Sequence, residues 1–498
     1  MRRRRGTAEG ALVGGCADGH EVSRVAAEKA LRSVMNRTLG EIDRTGVLAS
    51  PRINKGVAGA IVEQSVFGYP ADSARRPDLI VDGTPTELKT TGVVRRKRGG
   101  KTVLDAKEPM SITAVQPETI ATEEFARSAL LEKCEHLLIV YYEYLHRCAC
   151  TADYADFPVK GYDFHELSDA ERRAIERDWT IVRDFIADAQ ESCEVPEDRY
   201  PLLSSELNRY RLSVLDTSPK WPNRPRFRFK RAFVGTLVER YFGDRLEVIP
   251  DEIGAIGELD ARCAEARRLY GGMTMGEAAA ALGVAGAPTK QLAEKVCVRM
   301  LGGSGGKMGG IECLQRLSVS AHSVVLTPSG RRTEDFKINQ QVDFDEICDR
   351  TVSFEESQFR ASFADDQILV MVWREQEGHA GSLERSVFMG FKRLVFPDAF
   401  IDGPVRTCWD RMRSLVQTGT LRDVVSLKSD GSPRIGRSGV AVSAPNWPKA
   451  SEGDVFLRGT GRDARDKTVT VNGIRMYRQN PWVRGTWMVG ALEETGYL

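Results

Sequence analysis

Residues 77–89 read Pro-Asp-Leu-Ile-Val-Asp-Gly-Thr-Pro-Thr-Glu-Leu-Lys, a strand, a turn and the start of a second strand. Strand alternation turns Glu87 and Lys89 to one face and Leu88 to the core. Asp82-Gly83 is a turn dipeptide, so a hairpin folding there brings Asp78 beside Glu87. Two converging carboxylates and a lysine have a definite chemical use. Hard, oxygen-seeking Mg²⁺ binds between Asp78, Glu87 and a phosphate oxygen, polarises the phosphorus and offsets the charge growing in the transition state. Lys89 then orients or deprotonates the attacking water and stabilises pentacovalent phosphorus. A bare D…ExK spacing also occurs on solvated strand faces, where it makes only salt bridges. The surrounding order favours the chemical reading: Glu63 near the end of a short helix before the hairpin, a basic loop after it, and Lys133 just ahead of an apolar strand.

Working outward, periodicity predicts helices over 21–42, 56–67, 123–132 and 168–189, strands over 79–82, 86–94 and 136–144, and a basic loop over 95–101. Strands framed by helices give an α/β core with a partly antiparallel sheet. The order then recurs. Gly-Val-Ala-Gly-Ala-Ile-Val-Glu at 56–63 returns as Ala-Phe-Val-Gly-Thr-Leu-Val-Glu at 232–239. The helix signal at 125–131 leading into strand 136–142 is answered by 359–365 leading into 368–373. The amphipathic helix bearing Asp178-Trp179 is answered by 405–417 with Trp409-Asp410. Three matches in one order argue for two copies of one α/β fold.

Between the copies, residues 219–231 hold six basic residues, no acid and three prolines, which exclude a helix through them. This basic linker is either a strand whose Arg face tracks phosphates or a linking strand with a solvated edge. The expected domains are an N-terminal extension (1–44), a catalytic domain (45–218), the linker and a second domain (232–498).

Composition bounds the rest. At 498 residues the chain is several domain-lengths long, and 71 Lys+Arg against 70 Asp+Glu exclude a wholesale polycation. Any nucleic-acid contact must therefore come from local patches. No apolar run approaches a membrane span, and ten cysteines are too sparse for a disulfide scaffold, so a cytoplasmic location with reduced thiols is expected.

Asn-Lys-Gly-Val-Ala-Gly-Ala-Ile-Val-Glu at 54–63, Pro77-Asp78, and Glu-Leu-Lys-Thr-Thr-Gly-Val at 87–93 together resemble the MutH-like endonucleases, and most closely the type II restriction enzymes of the staphylococcal Sau type, which cut at GATC. The resemblance implies an α/β protein of two tandem MutH-like PD-(D/E)xK nuclease-type domains, the second lacking an active site. It implies Asp78, Glu87 and Lys89 as the metal and catalytic triad, Glu63 as the helix-borne acid and Lys133 as the later lysine. The gap from Asp78 to Glu87 is longer than in MutH, which leaves Asp82 as the alternative ligand, although Pro77-Asp78 fits the pattern better.

Residues 290–307 and Asn-Trp-Pro-Lys-Ala-Ser-Glu at 446–452 resemble the second domain of such enzymes. Glu334-Asp-Phe-Lys-Ile338 aligns with Glu108-Pro-Met-Ser-Ile112, after the catalytic strand. The counterpart of 87–89 then falls near 321–326, which contains no Asp, Glu or Lys. For DNA contact, Arg95, Arg96, Lys97, Arg98, Lys101, Arg228, Lys230, Arg458 and Arg462 are phosphate candidates, and Tyr210 and Arg211 are candidates for reading bases. The expected function is a Mg²⁺-dependent type II restriction endonuclease acting on double-stranded DNA, its host protected by a cognate methyltransferase, with two DNA sites or a DNA-induced dimer as further expectations. The alternatives are a catalytically silent sequence- or methylation-specific DNA-binding protein and a MutH-like nicking enzyme, a single-domain type that the duplicated length disfavours.

Overall fold

The strand His136–Glu143 is buried from Leu137 to its end, as expected for the centre of a sheet covered on both faces. The computed structural model describes residues 20–50, 56–70, 76–98, 101–243, 246–250, 253–286, 289–331, 334–379, 381–436, 439, 441–461 and 466–498. They divide into two units: residues 1–259 with 309–318, and residues 260–308 with 319–498.

In chain order the first unit contains β1 (Glu21–Val22), β2 (Leu79–Val81), β3 (Thr84–Arg98), β4 (Lys101–Ala106), β5 (Met110–Ala114), β6 (His136–Glu143), β7 (Val159–Glu166), β8 (Leu215–Ser218) and β9 (Arg226–Phe229). The main sheet runs β1-β2-β3-β6-β7, with β4 also on β3. β2 and β3 form the expected hairpin, with Val81 paired to Thr84. Asp82 (φ +48°) and Gly83 (φ +84°) are both left-handed, the two-residue turn whose twist matches that of the strands it joins. β3 runs parallel to β6, with Glu87 opposite Leu137 and Lys89 opposite Ile139. On one face Leu88, Leu138, Val140 and Tyr142 pack against the helices Arg24–Val34 and Val57–Ile61. On the other, Tyr141 meets Tyr241 and Phe242 from the helix Arg231–Phe242.

Four expectations change. The helix foreseen over 21–42 is a short strand followed by the helices Arg24–Val34 and Leu39–Ile42, because Ser23 and Thr38 each cap a new helix start. Of the basic loop expected over 95–101, residues 95–98 and 101 instead continue the ladder, with Arg95 opposite Leu104 and Arg98 opposite Lys101. Residues 219–231 are not a link between units. Their alternation buries Phe227 and Phe229 and makes β9 the middle strand of a second antiparallel sheet, β5-β9-β8. The repeat at 232–239 lies in the first unit, on the helix that Arg231 ties to β4 through Asp105 Oδ2 (2.7 Å) and the Ala106 carbonyl (2.9 Å). The other two pairs of segments fall on either side of the unit boundary: the helices Ala129–Cys134 and Gln358–Ala364 precede the strands His136–Glu143 and Gln367–Arg374, and the helices Asp169–Ser192 and Arg406–Gln417 come later.

The second unit contains β10 (Val319–Leu326), β11 (Phe336–Lys337), β12 (Gln367–Arg374), β13 (Val387–Leu394), β14 (Asp423–Val425), β15 (Ser443–Pro445), β16 (Val455–Thr460), β17 (Val469–Val471), β18 (Ile474–Met476) and β19 (Arg478–Val483). β10 is parallel to β12 and β12 antiparallel to β13, as β3 is to β6 and β6 to β7. β11-β19-β16 matches β5-β9-β8 in the same sense, and helices follow both β9 and β19. Taking β12 as the counterpart of β6 from its first residue, Ser320 and His322 hold the ladder positions of Glu87 and Lys89. Asp335, Phe336 and Lys337 lie at or beside β11, in the other sheet. β14–β15 and β17–β18 are separate two-stranded antiparallel sheets. Among the described residues no helix is long and apolar enough to cross a membrane.

Candidate active site

Glu87 is 2% exposed, and a carboxylate that dry needs partners. It has two. Lys89, two residues along the same strand face, donates to Oε1 at 2.7 Å. Lys133 donates to both oxygens, at 3.2 and 3.1 Å. Lys133 stands in the last turn of the helix Ala129–Cys134, whose start Ser128 caps through the Leu131 N–H. The parallel pairing of β3 with β6, which follows that helix directly, carries the lysine to the carboxylate.

Asp78, one position before β2, comes next to this group through the hairpin, and its Oδ2 accepts the Leu88 N–H at 3.0 Å. Burial and the nearby Glu87 charge hold its carboxyl above the usual aspartate range, against the opposing pull of Lys89, Lys133 and that N–H. Asp82, the alternative ligand, sits in the turn and accepts the Arg24 N–H at 3.2 Å. Asp78, Glu87, Lys89 and Lys133 thus form one group. Glu63 is differently placed, in the π turn Val62–Phe67 that continues the preceding helix. A Cβ added at Gly59 would lie 3.6 Å from Thr90 Oγ1 and 4.0 Å from Glu63 Oε1. The strand period sets Thr90 on the face opposite Glu87 and Lys89, with Leu88, against which the helix leading to Glu63 packs.

The basic candidates divide by partner. Arg95 has an exposed side chain ion-paired with Glu143, whose carboxyl it holds below the usual range, and Arg96 pairs with Asp105 at 3.0 Å. The side chains of Lys97, Arg98 and Lys101, and all of Arg462, lie outside the described residues. Tyr210 and Arg211 are exposed. Arg228 pairs with Asp216 through two bonds of 2.7 and 3.0 Å. Lys230 corrects an expectation: it is 5% exposed, and its ammonium donates to the carbonyls of Asn208 (2.8 Å) and Leu212 (2.5 Å), so it holds chain rather than phosphate. In the second unit Arg458 pairs with Asp335 and lies 4.9 Å from the ring centres of both Phe456 and Trp482.

Two features gave no signal in the sequence. His20 Nδ1 hydrogen-bonds the Asp78 carbonyl at 2.7 Å, yet a single imidazole in a stretch without motif announces nothing. Asp178 is fully buried and accepts the backbone N–H groups of Ser213, Val214 and Leu215 at 2.7–3.0 Å, where the sequence offers only an acid beside a tryptophan in an amphipathic helix.

Residues 67–178 match the family model of MutH, the DNA mismatch repair enzyme. The span contains Asp78, Glu87, Lys89 and Lys133, while Glu63 lies just before it. Over 398 residues the chain is 21% identical to the Type II restriction enzyme Sau3AI of Staphylococcus aureus, covering 73% of this chain and 74% of that enzyme. The carboxylate–lysine group therefore sits in a MutH-like domain, within a chain similar along most of its length to a Sau3AI-type restriction enzyme.

Proposed function

We propose that the chain is a type II restriction endonuclease, a site-specific deoxyribonuclease that breaks both strands of DNA at GATC with Mg²⁺. The observation that carries this reading is the buried Glu87 gripped by two lysines beside a second carboxylate whose ionisation is disfavoured. A carboxyl held above its usual range by burial and a like charge gains from a nearby cation. Among the described residues no group of three or more His, Cys, Asp and Glu side chains is disposed to hold a metal. Asp78 and Glu87 are nevertheless a suitable pair for Mg²⁺, which commonly takes one or two carboxylates and fills its remaining positions with water and phosphate oxygens. Bound between them, Mg²⁺ would supply Lewis-acid polarisation of the scissile phosphate.

The chain's own residues do the rest. Glu87 fixes the Lys89 ammonium, which orients the attacking water and stabilises the charge developing on phosphorus. Lys133 balances Glu87 from the neighbouring helix, so that Lys89 is not needed for charge neutralisation alone. With chelator present cleavage should stop, and Mg²⁺ should restore it. Ca²⁺, larger and looser in geometry, should support DNA binding without turnover. These outcomes are read by digesting methylated and unmethylated plasmid and sequencing the ends. Vigorous cutting in EDTA would contradict the two-carboxylate reading, and nicks in one strand would point to the MutH-like nicking alternative. A host making such an enzyme needs a methyltransferase that protects the same sites.

We assign the second unit to DNA binding without chemistry. Its repeated strand order, with Ser320 and His322 at the ladder positions of Glu87 and Lys89, supports this. If it binds a second site, a two-site plasmid is cut faster per site than a one-site plasmid, and an uncleavable duplex carrying the site stimulates the latter. The basis is linkage: DNA at the silent unit promotes cutting to the extent that it binds the cutting-competent state more tightly. Equal rates on both plasmids, with no response to added duplex, would reduce the unit to a clamp on a single target.

A further inference from the structure

We propose that His20 is a positioning residue for the metal-binding carboxylate: its imidazole, clamped between Tyr69 and the main chain of Asp78, sets where the Asp78 side chain points. The inference rests on the reading of Asp78 as a metal ligand given above.

The geometry comes from the edge of the main sheet. β1 adds to β2 in parallel, with Glu21 opposite Ile80 and Val22 opposite Val81. The His20 carbonyl accepts the Ile80 N–H at 2.8 Å, and the Val22 carbonyl accepts the Asp82 N–H at 3.2 Å. Arg24 N–H then donates to Asp82 Oδ2. These bonds pin the hairpin after Asp78 and leave Asp78 itself just outside the ladder. His20 supplies the missing restraint, since Nδ1–H donates to the Asp78 carbonyl at 2.7 Å.

The ring has its own anchor. It lies 4.7 Å, centre to centre, from the buried ring of Tyr69. The Tyr69 N–H in turn donates to the Glu63 carbonyl at 3.2 Å, at the end of the helix carrying that acid. One imidazole therefore spans the segment after Glu63 and the segment carrying Asp78. A carboxylate in a metal site must be held to about half an ångström, and side chains that lock its backbone serve this end. Asp78 has one restraint on its carboxylate, the Leu88 N–H, and one on its carbonyl, His20.

The test uses the full-length protein and an unmethylated plasmid with GATC sites, and measures cleavage rate against Mg²⁺ concentration. His20→Phe keeps a ring against Tyr69 and removes the donor, while His20→Asn offers an amide N–H close to the place of Nδ1. His20→Phe should need about tenfold more Mg²⁺ for half-maximal rate, the scale of one lost hydrogen bond. DNA affinity in Ca²⁺ and the thermal midpoint should stay near those of the unaltered protein. His20→Asn should recover most of the Mg²⁺ response. An unaltered Mg²⁺ dependence in His20→Phe, or a His20→Asn as impaired as His20→Phe, overturns the proposal. Asp78→Asn, run alongside, separates the two readings. If it still cuts, the metal-site reading fails; if it is inactive while His20→Phe behaves as the unaltered protein, only the positioning role fails.

Discussion

Asp78→Asn, Glu87→Gln and Lys89→Ala should each lower the single-turnover rate of DNA cleavage by roughly 10²–10³ or more, the loss that follows removal of one preorganised charge-stabilising group. DNA affinity measured in Ca²⁺ should stay within a few-fold, because it is spread over many phosphate contacts. Glu87→Gln is the most informative. It leaves Lys89 and Lys133 converging on a neutral amide where a carboxylate had bonded both, so the two ammonium groups repel and Lys89 loses its fixed position. Lys89→Ala keeps the Lys133–Glu87 pair and removes the strand-borne ammonium alone. Cleavage within tenfold of the unaltered rate by any of the three would remove that residue from the site.

The second large effect concerns stability. Asp178→Ala should destabilise the first unit by about 3–5 kcal/mol, read as a lower urea midpoint of the unfolding transition reported by the adjacent Trp179. The carboxylate is fully buried on the helix Asp169–Ser192 and is the acceptor for three consecutive N–H groups at 213–215. Burial pushes its carboxyl up, while those N–H groups and the Lys230 charge oppose the shift. Removing it strands three donors in a dry environment, next to Lys230. It also loosens the chain entering β8, just after the exposed Tyr210 and Arg211, so DNA affinity is a second readout. A loss below about 1 kcal/mol would show that water or another acceptor takes over.

The β2–β3 hairpin is legible in the sequence because its information is local. Asp-Gly marks the turn, alternation sets the faces, and β6 is apolar along its length. The positions misread depend on partners distant in sequence. Arg95 and Arg96 look like a solvated loop until Glu143 and Asp105 pair with them across the ladder. Residues 219–231 look like a seam because three prolines dominate them, yet the four residues of β9 lie beyond the last proline and bury two phenylalanines. Lys230 looks like a phosphate contact until the carbonyls of Asn208 and Leu212 enclose it. The helix at 232–239 copies the composition of 56–63, but small residues serve close packing wherever a helix crosses a sheet, and Gly235 faces Asp105 of β4. Composition alone could not assign that helix to a copy.

The first unit leaves the chain at Leu259 and regains it for Gly309–Ser318. In that returning piece Arg316 is fully buried, bonded to the Ile253 carbonyl at 2.7 Å and to Glu312, and Glu312 in turn holds Arg240. During synthesis, folding proceeds from the N-terminus as chain emerges from the ribosome. A nascent chain that has delivered the hairpin, both lysines and the whole main sheet still lacks the ion-paired plug that closes the same unit. The first unit therefore cannot complete this cluster until residues 260–308 have been translated. A chain ending near residue 259 lacks this plug: Arg240 keeps Glu171 but has no Glu312, and the Ile253 carbonyl has no Arg316 to accept from.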